Sequence, residues 1–377
     1  MINKIKKLQK LKKKDVYIFC AGKNGMRIAN ELKRNDVFIK GFLDNDKNKQ
    51  GEKIDGIDVL NPDAIHNSII IIATKSVTIQ NEIKEQIKDN ILIEDIYTLE
   101  EIYTRISYSG EILSIPRYEN PDVSICLTLY NGWPYTYNCI ESFLDCKTAV
   151  PYEFIIGDNC SEDETSKIEK YVIGAKVFHN IKNLGYLRNV NETLKRASSS
   201  FVLILQNDTL FLEDYWLDII YEYIYENDDC CVISPYMCGY DRISGMGGWR
   251  LSEDGTLTCF SDRLCSEPYS VAYVQPAAVL IRKSVWDALG GFDDVFSPAW
   301  CEDLDLFIRM LKEGYDIVMH PRTSYVHYGS KTCVIQNDIY NEHYRIVKQR
   351  YRGEFKKLQL MIDNRNYMRG ICDESMM

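Results

Sequence analysis

Short apolar runs that end in polar residues, separated by helix-like stretches, set the strongest limit on how this chain can fold. Four of them follow one another: VSICLTLY (Val123–Tyr130), YEFIIGD (Tyr152–Asp158), AKVFHN (Ala175–Asn180) and FVLILQ (Phe201–Gln206). Strands buried on both faces read as unbroken apolar runs, and alternation with helices implies a parallel sheet with right-handed crossovers. Parallel strands all point one way, so Asn131, Asp158, Asn180 with Asn183, and Asp208 are expected at one edge of the sheet. Open α/β sheets keep their ligands at that edge, although any one of these polar ends could simply begin a turn.

A separate pattern precedes this one. Asp15–Asp46, DVYIFCAGKNGMRIANELKRNDVFIKGFLDND, reads as a strand, a glycine turn, a helix with Met26, Ile28, Ala29 and Leu32 on one face, and a second strand over Val37–Leu43. Ser68–Thr74 supplies another buried strand and VTIQNEIKEQI another helix. Residues 14–103 are therefore expected to form a small Rossmann-like domain. Its CAGKNG turn has Cys20 where a dinucleotide fingerprint has its first glycine, keeps Gly22 and Gly25, and is followed about 20 residues on by Asp44, as ribose recognition requires. A scaffold without a ligand is the alternative. The polar, proline-containing Thr104–Asp122 segment is the expected linker, 122–333 the second α/β domain and 334–377 a helical extension.

With 45% hydrophobic and 27% charged residues the composition is that of a globular chain, and apolar runs such as Ile69–Ala73 are too short to span a bilayer. A net charge of −10 argues against a nucleic-acid partner, which needs a basic footprint. Cytoplasmic residence is the expectation, since the start MINKIKKLQKLKKKD lacks the apolar core of a secretory signal. Its lysines read either as a solvated helical face or as a peripheral contact with anionic lipid at the inner face of a membrane. Thirteen cysteines, without paired C-x-x-C motifs and mostly in apolar stretches as at Cys126, Cys139 and Cys231, read as reduced core thiols.

Several residues could carry chemistry. Asp158 is placed either to contact a nucleotide or to close an Asx-type turn with Ser161 capping the next helix. Gly185 permits close backbone approach or a tight turn. A hard divalent ion prefers oxygen and often keeps one or two carboxylates plus substrate phosphates, which suits Asp208. In SPAWCEDLDLFIRMLKEGY, Leu304, Phe307, Ile308 and Leu311 have the spacing of a core-facing stripe, and Asp305 with Arg309 reads as an i, i+4 pair on a solvated face. Glu302 and Asp303 remain in the first turn, where they either favour the helix dipole or supply a general base. His327 is a structural or a ligand histidine.

Taken in order, Asn131, GDNCSEDET, NLG with Asn191, LQND, VQPAAVLIRKSVWDALGGFDDVF, CEDLDLFIRMLKEGY and VHYGS resemble the inverting family-two glycosyltransferases of GT-A fold, notably the rhamnosyltransferase-like branch, over Val123–Lys331. The resemblance implies that Asp158 contacts the nucleotide in a pocket shared with Thr128, Tyr130, Asn131, Asn183 and Gly185. It also implies that Asp208 binds the metal on the donor diphosphate with His327 beside it, and that Asp303 is the base while Glu302 assists. Gln206 departs from the pattern, standing where many members have Asp or Asn, so the usual acid pair is reduced to Asp208. The first domain resembles the nucleotide-binding module attached to sugar acyltransferases.

The expected activity is transfer of a sugar from a nucleotide-sugar donor to a hydroxyl of a saccharide, lipid-linked or protein acceptor, with inversion and a divalent cofactor, Mg or Mn. A nicotinamide-dependent oxidoreductase using the first domain is disfavoured because no Tyr-x-x-x-Lys constellation follows the glycine turn within residues 14–103. A catalytically silent sugar-nucleotide-binding protein is the other alternative, motivated by Gln206.

Overall fold

The computed structural model describes residues 9–33, 37–65, 68–74, 76–88, 93–98, 101, 111–239, 245–260, 263–329 and 337–371. The lysines before residue 9, the 104–110 part of the expected linker, residues 330–332 of the histidine motif, and 334–336 and 372–377 of the extension lie outside them. The chain divides into two units, Met1–Ser109 and Gly110–Met377.

In the first unit, strands Ile57–Leu60, Ile39–Leu43, Asp15–Phe19, Ser68–Ile72 and Ile93–Thr98 lie side by side in that order and run parallel. Lys53–Ile54 adds a short antiparallel edge. Every residue of Ser68–Ile72 is buried, as an unbroken isoleucine run requires. Helices Lys23–Lys33 and Val77–Ile87 connect the strands, the second capped by Ser76, whose Oγ accepts from the Ile79 N–H. The second strand begins at Ile39 rather than Val37 because the Val37 N–H closes the preceding helix on the Leu32 carbonyl.

The second unit is built on strands Lys176–His179, Tyr152–Asp158, Val123–Leu129 and Phe201–Gln206, neighbours in that order and all parallel. Ala278–Arg282 then joins antiparallel to Phe201–Gln206, and the sheet continues through Cys230–Gly239, Asp316–His327 and Thr209–Phe211. An aromatic centre fills one face: Phe143 meets Tyr152, Phe154, Phe211 and Trp216 edge-on, and Phe211 stacks on Trp216 at 4.1 Å. Cys126, Cys139 and Cys231 are buried free thiols. No helix among the described residues is long and apolar enough to cross a membrane.

Part of the expected linker is a structural piece of this unit. Leu113–Ser114 pairs with Val172–Ile173, and Leu113 and Ile115 are buried in the core while Ser114 between them is exposed. The terminal helices Asn337–Arg350 and Phe355–Met368 also pack into the unit. Asn366 exchanges hydrogen bonds with the Ser270 backbone, and Arg365 and Arg369 both reach the fully buried Asp316.

Candidate active site

The parallel strands bring their carboxyl ends together as expected. Thr128 is buried, in register with Gly157 on one side and Gln206 on the other, and half-buried Tyr130 follows it. Asn131 turns the chain with φ +53° and fastens the neighbouring loop: its N–H donates to Ser161 Oγ, and its Oδ1 accepts from the Glu162 N–H at 2.8 Å. Ser161 therefore does not cap the next helix. Asp163 does, with Oδ1 accepting from the Thr165 N–H, because the Ser161 hydroxyl is held by Asn131.

Asp158 is almost wholly buried, and both of its oxygens have partners. The Ser161 N–H donates to Oδ1, and His179 Nδ1 lies 2.8 Å from Oδ2 while its Nε2 lies 2.8 Å from Glu169. Burial alone lowers the His179 pKa, but the bonds to Asp158 and Glu169 outweigh it and the net shift is upward. The sequence reading missed this histidine, whose one signal was its place at the end of a strand beside Asp158. Asn183 Oδ1 accepts from Asn159 and from the Gly185 N–H. Gly185 has φ +82°, and a Cβ there would lie 2.8 Å from Pro298, so glycine is needed where the chain passes that backbone. Leu187 donates to the Pro298 carbonyl, which docks the Tyr186–Leu194 helix on the segment that leads into the acid pair.

Thr209–Phe211 pairs antiparallel with the end of Asp316–His327, and Thr209 faces His327 in register. This sets buried Asp208 beside His327, with Oδ1 at 3.1 Å from Nε2. Among the described residues no group of three or more His, Cys, Asp or Glu is arranged to hold a metal. One carboxylate and one imidazole fit an ion that completes its shell with phosphate oxygens and water. Gln206 is held by its amide nitrogen, which donates to the Tyr186 hydroxyl at 3.2 Å and to the Pro276 carbonyl.

Trp300 and Cys301 enter the Glu302–Lys312 helix with φ of 74° and 67°, a left-handed pair that points the first turn inward. Leu304, Phe307, Ile308 and Leu311 are buried as their spacing predicts. Glu302 is 3% exposed, and its Oε2 has no hydrogen-bond partner among the described residues. Burial first, and the Asp303 charge second, push its pKa well up. Half-buried Asp303 accepts from the Tyr273 hydroxyl at 2.7 Å on Oδ2 and from the Leu304 N–H on Oδ1. Burial raises its pKa and these bonds only partly offset the rise.

The solvated-face reading of Asp305 is wrong. Its side chain is fully buried, with Oδ2 accepting from Arg309 at 2.8 Å and Oδ1 from Arg350 and the Tyr351 hydroxyl at 2.7 Å each. The i, i+4 pair exists, but Arg350 and Tyr351 from the terminal helix region close over it. His343 of that helix also lies 3.1 and 3.0 Å from the Ala299 and Trp300 carbonyls, so the extension braces the entry to the acid pair.

In the first unit, Gly25 leaves no room for a side chain, because a Cβ would meet the Cys20 carbonyl at 2.3 Å, whereas Gly22 borders open space. Cys20, at the position of the missing glycine, has φ +77°. Asp44 is engaged inside the unit, accepting from the Ala21 and Asp46 N–H groups at 3.0 Å each and from Lys49 at 3.1 Å.

Residues 124–290 match the model of Glycosyl transferase family 2, and residues 12–97 that of the C2185-like N-terminal family. The chain is 26% identical over 152 residues to the O-antigen biosynthesis protein RfbC of Myxococcus xanthus, covering 37% of this chain and 12% of that protein. It is 24% identical over 203 residues to the putative glycosyltransferase EpsE of Bacillus subtilis (strain 168), covering 52% and 68%. In fold it is similar to GalNAc-T7, solved with UDP, GalNAc and Mn2+, at a TM-score of 0.50 and 13% identity over 78% of this chain and 64% of that one.

Proposed function

We propose that the second unit is an inverting glycosyltransferase that moves a sugar from a nucleotide diphosphate donor to a hydroxyl. One observation carries the reading. Buried Asp208 lies 3.1 Å from His327, half-buried Asp303 is held by Tyr273 at 2.7 Å, and the charges of both centres act on the Tyr186 phenol, which Gln206 holds at 3.2 Å. One centre suits the donor diphosphate and the other a proton acceptor.

In this reading Asp303 takes the proton of the acceptor hydroxyl as its oxygen attacks the anomeric carbon from the side opposite the diphosphate. Asp208 and His327 would hold a divalent ion, Mg or Mn, which would supply charge neutralisation for the departing diphosphate. Thr128, Tyr130, Asn131, Asn183 and Gly185 border the nucleoside side, with Asp158 pinned by His179. Burial favours the neutral form of Glu302, and the hydrogen bonds from Tyr273 and the Leu304 N–H favour the charged form of Asp303. The domain limits 122–333 and 334–377 leave out Leu113–Ile115, which pack into the same unit, and separate from it the terminal helices that serve it. The presence of Mn2+ and UDP with GalNAc-T7 supports a metal-assisted nucleotide donor. RfbC supports a surface-polysaccharide acceptor. A rhamnosyl donor remains the finer expectation of the motif order. For 14–103, the parallel sheet and the glycine turn support a Rossmann-like nucleotide-binding module. The engaged Asp44 favours the second unit as the donor site.

A thermal-shift screen across nucleotide sugars with Mg2+ or Mn2+, followed by mass spectrometry of the products, tests the assignment. Stabilisation by one donor class and a product heavier by one sugar residue are expected. Donor binding without turnover would favour a silent binding protein, and no response to any nucleotide sugar would refute the reading.

A further inference from the structure

We propose that Tyr273 is a positioning residue for sugar transfer, its hydroxyl holding the Asp303 carboxylate in the orientation from which Oδ2 receives the acceptor proton. The inference rests on Asp303 being the base. Tyr273 lies outside every motif that pointed to the site, 30 positions before its partner.

The geometry is specific. The phenol donates to Oδ2 at 2.7 Å while the Leu304 N–H donates to Oδ1 at 2.7 Å, so each oxygen has one fixed donor and the carboxylate plane is set by both. Tyr273 is itself fixed. Its ring meets Trp249 at 5.0 Å and Phe307 at 5.6 Å, and its carbonyl accepts from the Trp249 N–H. Burial, and after it the charge on Asp303, push the Tyr273 pKa far up, so it stays a proton donor throughout the working range.

Other groups also face Asp303: Glu302 and Cys301 from its own segment, Tyr186 from the Tyr186–Leu194 helix and Tyr340 from the Asn337–Arg350 helix. None of the hydrogen bonds found to the Asp303 carboxylate comes from these groups. In the step itself the acceptor O–H proton passes to Asp303. The acceptor oxygen bonds the anomeric carbon, and the bond from that carbon to the diphosphate oxygen breaks, its electron pair leaving with the nucleoside diphosphate. A hydrogen bond to the charged carboxylate favours the ionised base, so losing it moves proton release to higher pH.

The test is Tyr273→Phe in the full chain, assayed with the donor found in the screen across pH 5–9, beside Asp303→Asn. The expected result is an acid limb of kcat/KM shifted upward by about one pH unit, an unchanged donor KM, and recovery of turnover as the pH is raised. An unmoved limb, whether turnover is unchanged or uniformly lower, would overturn the role of Tyr273 while Asp303→Asn remains inactive. If Asp303→Asn retains wild-type turnover, the base itself is misassigned and the inference falls with it. A thermal midpoint within a few degrees of wild type shows that the Tyr273→Phe protein is folded.

Discussion

Asp44 and Asp303 are each an acid at a sheet edge or helix start, yet the two units treat them in opposite ways. Burial pushes both carboxyl groups up. Around Asp44 the N–H groups of Asp46 and Ala21 and the ammonium of Lys49 reverse that push, and the net pKa falls. Around Asp303 the phenol of Tyr273 and the N–H groups of Leu304 and of Asp303 itself do not outweigh burial, and a second acid stands next to it. The difference teaches that position alone does not make a carboxylate chemically available. The balance of burial against donors and neighbouring charge decides it, and only the folded structure sets that balance.

The comparison breaks first, and most visibly, at Asp303. Asp303→Asn should lower kcat about 10²–10⁴-fold with donor affinity retained, as read from steady-state kinetics beside calorimetry. Asp305→Asn probes an acid that is fully bonded like Asp44 but buried like Glu302. It leaves Arg309 and Arg350 without their shared partner and should cost about 3 kcal/mol in urea denaturation, with turnover falling only as the folded fraction falls.

Glu302→Gln sharpens the contrast through pH. The native fold favours protonated Glu302, so the native state binds more protons than the unfolded one, and wild-type stability drops as pH rises above the ordinary glutamate range. The glutamine variant lacks that loss, and its Tm should exceed the wild type's by about 2–4 °C at pH 8 and match it near pH 4. Asp44→Asn should cost the least, roughly 0.5–1 kcal/mol of stability, because the amide oxygen still accepts one N–H. Turnover should be unchanged, and a lost donor affinity in this variant would move the donor site to the first unit.

How much of this was legible depended on the range of the interaction. Buried parallel strands announce themselves, and the Phe201–Gln206 and Tyr152–Asp158 runs were found with their ends. The Leu113 and Ile115 strand was hidden because two alternating apolar residues in a polar stretch are too short a period to distinguish from a linker. The Asp305–Arg309 spacing was read correctly and its burial was not. An i, i+4 pair looks the same on a surface as under a lid, and the lid, Arg350 and Tyr351, arrives 45 and 46 residues later. Tyr273 and His179 escaped for the same reason, their partners being set by sheet register and loop docking rather than by local pattern.

The central claim is that a metal–diphosphate site forms at Asp208 and His327 in the second unit. Calorimetric titration of the full chain with its nucleotide sugar, with Mn2+ and again with a chelator, tests it most directly when repeated on Asp208→Asn. The account predicts binding that weakens at least tenfold when the metal is removed and, in Asp208→Asn, weak binding that no longer responds to Mn2+. Equal affinity in the wild type and Asp208→Asn, with the same dependence on Mn2+, would contradict it.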